Sequence, residues 1–304
     1  MASIISDTTE GQGEQFKRFV EDAAERAFKQ AGLDKDQLQR LFGCGGEFQG
    51  DIRALIMRLS RSNQYANEVV ASSYTYPLEY AGPKPIGQQI DILARAFGLS
   101  LGGTQEFIDK VLPGLMLPEG AEGWFAIPSV VAVAKCHFPK IKNPAERYCR
   151  AVELIIEKLK ATRIVHNYRE GELGTKYLRQ HPRTVQAFDR IMQQKGDILI
   201  VAAQFGMGHR GESVRRAHEL FTPNEYGLGA LAVGSMALTH PERFVRWEQL
   251  HTHCAGDQYD FGARGAWGLA PIVSFCGGEL EFYARRVVSP DENCGSVSGF
   301  LPER

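Results

Sequence analysis

A glycine-rich segment is the first stretch whose residue types and spacing could do chemistry. Residues 206–211 read GMGHRG, which matches the pattern GxGxxG, between a predicted strand and a predicted helix. Such glycines let backbone N–H groups approach a phosphate, and the start of the helix adds positive potential. The predicted ligand-binding residues are Gly206, Gly208, His209, Arg210, Gly211, Arg215 and Arg216.

The pattern is incomplete for a dinucleotide-binding site. A Rossmann unit needs a second strand that ends in an acidic residue about twenty positions further on, whereas Glu225 lies in a turn-like TPNEYG context. Glycine turns also join strands to helices without binding anything. The segment therefore predicts an anion or phosphate site, with a plain strand-to-helix turn as the alternative.

A pair of histidines could bind a divalent metal ion. On a strand, His251 and His253 would lie on the same face, and Asp257 would supply a third ligand beside an open position for water. This arrangement would suit a metal-dependent hydrolase. If the helix predicted just before them continued, the two histidines would lie on nearly opposite sides. The alternative is a pair of hydrogen-bonded loop histidines.

A local excess of basic residues lies in the middle of the chain. Between Lys140 and Lys195 there are thirteen Lys and Arg against six Asp and Glu, a local net charge of +7, although the whole chain has a formal charge of −1. The whole chain therefore has no field that recruits nucleic acid or an anionic membrane. The region predicts a basic surface, with solvated helix faces as the alternative.

The elements around these residues can be predicted from periodicity and caps. Residues 198–205 form a buried strand, Ser213–Phe221 form a helix, and residues 271–288 form a hairpin around Gly277 and Gly278. The run Leu228–Leu238 is apolar on every face and predicts a buried helix. A capping-box pattern at Thr239 and Glu242 predicts another helix as far as Trp247.

The first third of the chain predicts a helical module. Apolar residues recur at spacings of three and four between Glu14 and Gln30, and the helical pattern returns over Ile52–Leu59. Residues 72–85 contain three prolines and favour an extended linker. We expect a helical module over 1–80 and an α+β domain over 81–304, with one compact domain as the alternative. In the α+β part, the strand and the hairpin would form a small sheet packed by helices.

Composition places the chain among cytoplasmic globular proteins. Hydrophobic residues make up 43% and charged residues 23% of the 304 residues, which is close to the average for folded domains. The six cysteines form no CxxC pair, which favours free thiols. The N-terminus lacks the basic and apolar regions of a signal peptide, and the longest apolar run is too short to cross a membrane.

Several C-terminal segments together resemble a group of bacterial proteins of uncharacterised function. The segments are NYREGELG from Asn167, HRGESVRRA, NEYGLGALAVG, ALTHPERF, CAGDQYDFG and GSVSGFLPE. The resemblance covers about residues 140–304 and leaves out the N-terminal third. It implies a bacterial cytoplasmic protein and transfers no catalytic role.

Three functions are consistent with these features. The leading hypothesis is a protein that binds a phosphate-bearing ligand or nucleic acid through the 140–216 basic region and the glycine loop. The first alternative is a metal-dependent hydrolase that uses His251, His253 and Asp257. The second alternative is a structural or interaction protein without catalytic activity. The sequence leaves open whether the 206–216 and 251–260 segments meet.

Overall fold

A computed structural model of the chain describes residues 9–60 and 62–302. The chain divides into two compact units. The first contains the N-terminal helices, and the second runs from Gln64 to the end of the described chain. Residues 1–8, where the sequence predicts no signal peptide, lie outside the described residues.

The N-terminal unit consists of three described helices. They are α1 (Glu10–Ala31), α2 (Lys35–Gly43) and α3 (Gly45–Ser60). Capping boxes start the first two: the Thr9 and Asp34 side chains accept hydrogen bonds from the backbone three residues on. Gly32 ends α1 in the left-handed conformation, at φ 60°. The predicted helical module is confirmed, and α1 is longer than its apolar stripe indicated.

The second unit contains seven described helices. They are α4 (Ile86–Phe97), α5 (Gly102–Lys110), α6 (Val130–His137), α7 (Pro144–Lys160), α8 (Pro182–Ile191), α9 (Val214–Leu220) and α10 (Ala230–Thr239). The Asn143 side chain caps α7 by accepting from two backbone N–H groups, and Pro144 takes the first helical position. Every residue of α10 is buried, as its apolar sequence predicts.

The described strands form two sheets in this unit. They are β1 (Gly123–Pro128), β2 (Val165–Asn167), β3 (Leu178–Gln180), β4 (Ile198–Gln204), β5 (Glu225–Gly227), β6 (His251–His253), β7 (Asp257–Tyr259), β8 (Leu269–Cys276), β9 (Glu279–Arg286), β10 (Cys294–Ser296) and β11 (Ser298–Phe300). The first sheet has the antiparallel order β1-β4-β11-β5. The second has the order β10-β6-β8-β7-β3, and β9 pairs with β8 and β2.

The α+β class predicted from sequence is confirmed. The predicted strand is β4, and the predicted hairpin is β8 and β9, joined by Gly277 and Gly278, which both have positive φ. These elements lie in two different sheets rather than in one small sheet. The main core joins the sheets to the helices, since Ile200 of β4, Val152 of α7 and Phe282 of β9 belong to one apolar cluster.

The predicted helix from Thr239 to Trp247 is wrong. Thr239 is the last residue of α10, and its hydroxyl donates to the Ser235 carbonyl oxygen at 3.0 Å instead of capping a new helix. Only a single 3-10 turn, Pro241–Arg243, follows. The strand β6 then begins at His251, so His251 and His253 share one face.

The proline-rich segment before α4 belongs to the second unit by its hydrogen bonds. The Val70 N–H donates to the Gly211 carbonyl oxygen at 2.8 Å, and the Leu250 N–H donates to the Thr75 carbonyl oxygen at 3.0 Å. The boundary between the units therefore lies before Gln64 rather than near residue 80. None of the described helices is long and apolar enough to cross a membrane.

Candidate functional site

The glycine loop lies where the sequence predicts it, between β4 and α9. A 3-10 turn over Met207–His209 forms its middle, and the Ser213 side chain caps α9. Gly206 and Gly211 have φ values of 112° and 74°, which favour glycine. A Cβ atom at Gly211 would collide with the Val70 carbonyl oxygen, so this glycine permits close packing of two backbone segments.

Each backbone N–H group of the loop donates to an acceptor within the protein. Gly206 and Gly208 donate to the Gln204 side-chain oxygen at 2.6 and 3.2 Å. The remaining donor and acceptor pairs are Met207 to the Tyr76 hydroxyl, His209 to the Gly206 carbonyl, Arg210 to the Met207 carbonyl and Gly211 to the Cys294 carbonyl. The N–H groups that a phosphate would need therefore already have partners.

The arginines of the predicted anion site also have partners in the protein. Arg215 forms an ion pair with Glu68, its Nε lying 2.7 Å from Glu68 Oε2, and Arg216 lies 2.6 Å from Glu219. Arg210 is exposed and donates to the Tyr74 carbonyl oxygen at 3.1 Å. These contacts do not favour a phosphate site at the loop, and anion binding there stays a prediction.

His209 lies between two carboxylates. Its Nδ1 is 2.9 Å from Glu212 Oε2 and its Nε2 is 2.7 Å from Glu225 Oε1. Burial alone would lower the His209 pKa, but the hydrogen bonds to both carboxylates outweigh it and raise the pKa to about 9. The imidazolium lowers the pKa of the buried Glu225, which also accepts from Ser298 at 2.6 Å. The charged ring therefore links the loop to β5 and β11.

The histidines of β6 are in the opposite electrostatic state. Both are buried, and burial lowers the pKa of His251 to about 4 and that of His253 to about 3, with Arg285 adding to both shifts. Among the described residues, His251 Nε2 and His253 Nδ1 have no hydrogen-bond partner. These rings are neutral at pH 7, which is the state that a metal ion requires of a histidine ligand.

The structure does not bring Asp257 together with the two histidines. Thr252, which lies between them, pairs with Val273 of the main core, so the histidines face away from that core. Asp257 reaches the core side, where its carboxylate accepts from the Tyr148 hydroxyl and the Ala230 N–H, both at 2.7 Å. Burial raises the pKa of Asp257 to about 7.

No group of three His, Cys, Asp or Glu side chains within residues 9–60 and 62–302 is placed to hold a metal ion. The predicted ligand set of His251, His253 and Asp257 is corrected on this point, because its members point to opposite faces of the second sheet. Asp257 instead accepts from the first N–H group of α10, whose N-cap residue Gly229 has no side chain to do so.

The two segments singled out from the sequence meet through β10. The Gly211 N–H donates to the Cys294 carbonyl oxygen at 2.9 Å, and β10 pairs in parallel with β6. On α9, the His218 ring lies 2.8 Å from the Ala255 carbonyl oxygen. The two segments are therefore neighbours in the fold. Within the described residues, however, His209, Arg215 and Asp257 each bond to different partners, and these three side chains do not converge on one ligand position.

A buried polar cluster beside the loop was not predicted from the sequence. Arg243 is fully buried, donates to the Leu250 and Phe205 carbonyl oxygens, and lies 4.2 Å from the centre of the Tyr76 ring. The Tyr76 hydroxyl donates to Glu122 and accepts from the Met207 N–H. These residues come from distant parts of the chain, so no spacing in the sequence reveals them.

The N-terminal unit presents a different kind of candidate site. None of the described side chains of α1, α2 or α3 is buried. Seven large apolar side chains in these helices are exposed, and we call them the N-terminal apolar set. They are Phe16, Phe19, Phe28, Phe42, Phe48, Leu55 and Leu59. Exposed apolar surface of this kind marks a site of association with another apolar surface.

Comparison with known proteins adds no relative. No protein-family model matches the chain, and neither a curated protein nor a solved structure is detectably similar to it. The function of the chain must therefore be inferred from its own residues.

Proposed function

We propose that the chain is an interaction protein whose N-terminal helical unit associates with a protein partner through the N-terminal apolar set. The single observation that carries this proposal is the exposure of seven large apolar side chains in a unit without a buried residue among those described. Phe19 and Phe42 are each 68% exposed. Exposing such side chains costs free energy that association recovers.

The size of the unit supports the proposal. A unit of about 60 residues is marginally stable even when it buries about 60% of its surface. Here the least exposed apolar residues of the helices, such as Val20, Leu38, Leu41 and Ile56, are only half-buried. Caps and charge pairs, including Asp22 with Arg26, stabilise the individual helices but do not provide a core. A partner would supply the missing apolar contacts.

The second unit supports the same division of roles. Its sheets and helices enclose a large apolar core, and the predicted ligand loop uses its N–H groups within the fold. We propose that this unit is the folded body to which the association module is attached. The setting that we propose is the bacterial cytoplasm, in line with the C-terminal resemblance and with six cysteines that are all free.

A dye that fluoresces on apolar surfaces tests the proposal. We expect the dilute full-length chain to bind such a dye, and a Phe19→Ser, Phe42→Ser, Phe48→Ser variant to lose most of that signal. Leu78→Ser is the matched control, because Leu78 is 99% exposed but lies in the second unit. A dilute chain that keeps its helical circular dichroism signal without binding the dye would show that the apolar set is covered, and the proposal would fail.

A further inference from the structure

The loop between β7 and β8 is held in a defined conformation by its first residue. Its sequence is DFGARGAWG, residues 260–268, and we call it the aromatic loop. The Asp260 carboxylate accepts from the Gly262, Gly265 and Ala266 N–H groups at 3.0, 2.5 and 3.0 Å. Charge-assisted bonds of this kind fix a turn. The loop therefore presents exposed side chains from an ordered backbone.

Two aromatic rings of the aromatic loop each lie against an arginine from outside it. Phe261 is 59% exposed, and the Arg169 guanidinium carbon lies 4.8 Å from the centre of its ring. Trp267 is half-buried, and the Arg179 guanidinium carbon lies 4.1 Å from its ring. Both arginines belong to the basic region predicted over residues 140–195. Each guanidinium stacks on a ring and places positive charge beside it.

Further basic side chains lie around the aromatic loop. The Arg264 side chain folds back over Gly262, since a Cβ atom on that glycine would lie 3.1 Å from Arg264 Nε. Lys176 precedes Tyr177, whose carbonyl oxygen accepts from the Asp260 N–H at 2.8 Å. Arg264 and Lys176 are both exposed, and neither forms an ion pair within the part of the chain that the structure describes.

The acidic side chains bonded at this loop are already engaged within the fold. Asp260 binds the loop backbone, and Glu172 lies 3.3 Å from Arg169 and accepts from the Tyr259 hydroxyl at 3.0 Å. Arg286 of β9 is exposed and pairs with the first residue of β8, where the loop ends. Basic side chains therefore predominate around the aromatic loop, although the whole chain has a formal charge of −1.

We propose that the aromatic loop binds single-stranded nucleic acid. An unpaired base stacks on the exposed Phe261 ring, and the neighbouring phosphates contact Arg264 and Lys176. An aromatic ring among cations suits this ligand, because every base has a flat face and every phosphate a negative charge. A duplex fits less well, since its bases already stack on one another. The site lies in the second unit and does not depend on the association proposed for the N-terminal unit.

Fluorescence anisotropy of a labelled oligothymidine of about 12 nucleotides tests the proposal on the full-length chain. We expect binding that weakens as the salt concentration rises. Phe261→Ala should raise the dissociation constant about 10-fold, because one stack between a base and a ring is lost. Trp247→Ala is the matched control, since Trp247 is 50% exposed but lies outside the aromatic loop. We expect it to leave the dissociation constant unchanged.

Two further changes at Phe261 separate stacking from apolar contact. Phe261→Leu keeps an apolar side chain without a flat ring, so we expect it to weaken binding as much as Phe261→Ala does. Phe261→Trp keeps a flat ring, and we expect it to retain the affinity of the original chain. A leucine variant that binds as tightly as the original chain would overturn the proposal, because the ring would not be used for stacking.

Arg264→Ala tests the phosphate contact. We expect weaker binding and a slope of log K against log salt that is reduced by about 0.7, the value for one lost contact to a single strand. Arg95→Ala is the matched control, because it removes the same charge from an exposed position on α4. We expect Arg95→Ala to leave the slope unchanged. Equal changes in both variants would reflect net charge alone and would contradict a phosphate contact at Arg264.

The remaining outcomes decide the nature of the ligand. A folded full-length chain that binds neither oligothymidine nor oligouridine at low salt would overturn the proposal. A duplex of the same length that binds as tightly as the single strand would overturn it too, and so would binding to phosphatidylserine vesicles without binding to either oligonucleotide. None of these results changes the dye test of the N-terminal apolar set, so the two proposals fail independently.

Discussion

The N-terminal helices and the second unit differ in where their large apolar side chains lie. In the second unit, Phe125, Phe205 and Tyr226 are fully buried. In the N-terminal unit, Phe16, Phe19 and the other members of the apolar set are exposed. Both units contain amphipathic helices that start with a side-chain cap, such as α1 in the first and α7 in the second. Local signals therefore produce helices in both units, but only the second has enough sheet and helix surface to enclose a core.

The two units also differ in how closely other atoms pack against their glycines. Substitution of a closely packed glycine in the second unit gives the largest expected loss of stability. Gly211 has φ 74° and lies against the Val70 backbone, whereas Gly13 lies within α1 with no atom near its missing Cβ. We expect Gly211→Ala to lower the free energy of unfolding of the second unit by about 2–4 kcal/mol, because it adds strain and a collision. Urea unfolding, followed by tryptophan fluorescence, measures this.

Two control variants sharpen this prediction. Gly208→Ala in the same loop would make only ordinary contacts, so we expect little change in stability. Gly13→Ala should raise the helix content of the N-terminal unit, since alanine in a helix interior is favoured over glycine by about 1 kcal/mol. If Gly208→Ala destabilised the protein as much as Gly211→Ala, the close backbone packing at Gly211 would not be the cause of the loss.

Replacement of the charged His209 in the second unit gives the next largest expected loss of stability. Its pKa is about 9 in the folded chain against about 6.5 in the unfolded chain. The stability from this shift is fully present below about pH 6.5 and is lost as the pH rises through about 9. We expect His209→Gln to cost about 2–3 kcal/mol at pH 6 and to flatten the pH dependence of the free energy of unfolding between pH 6.5 and 9.

His253→Gln is the matched control for His209→Gln. His253 is also buried, but its pKa is about 3, so it stays neutral across the same pH range. We expect this variant to keep the fall in stability between pH 6.5 and 9. If both variants removed that fall, the two carboxylates around His209 would not be its cause.

The partly exposed Arg215 gives the smallest expected effect. Arg215 is paired with Glu68 and its side chain is 39% exposed, so replacing it with alanine should lower the melting temperature by less than His209→Gln does. We expect salt-dependent retention on heparin to be the same in the variant and the original chain. A clear loss of retention would instead support the predicted anion site.

Several elements could be predicted from the sequence because they depend on local signals. Asn143 and Pro144 start α7, apolar residues on every face predict the buried α10, and the glycine pair predicts the β8–β9 hairpin. The amphipathic stripe of α1 was also evident from spacing alone. These features follow from caps, periodicity and turn chemistry, which act between residues close in the chain.

Which polar groups are partnered and which apolar faces are covered depended on contacts between distant parts of the chain. Spacing suggested that His251, His253 and Asp257 share a site, yet the sheet directs Asp257 towards α10 and the histidines to the other face. The pattern GxGxxG suggested free N–H groups, which β10, Gln204 and Tyr76 bind instead. Such partners lie far apart in the chain, and folding alone brings them together.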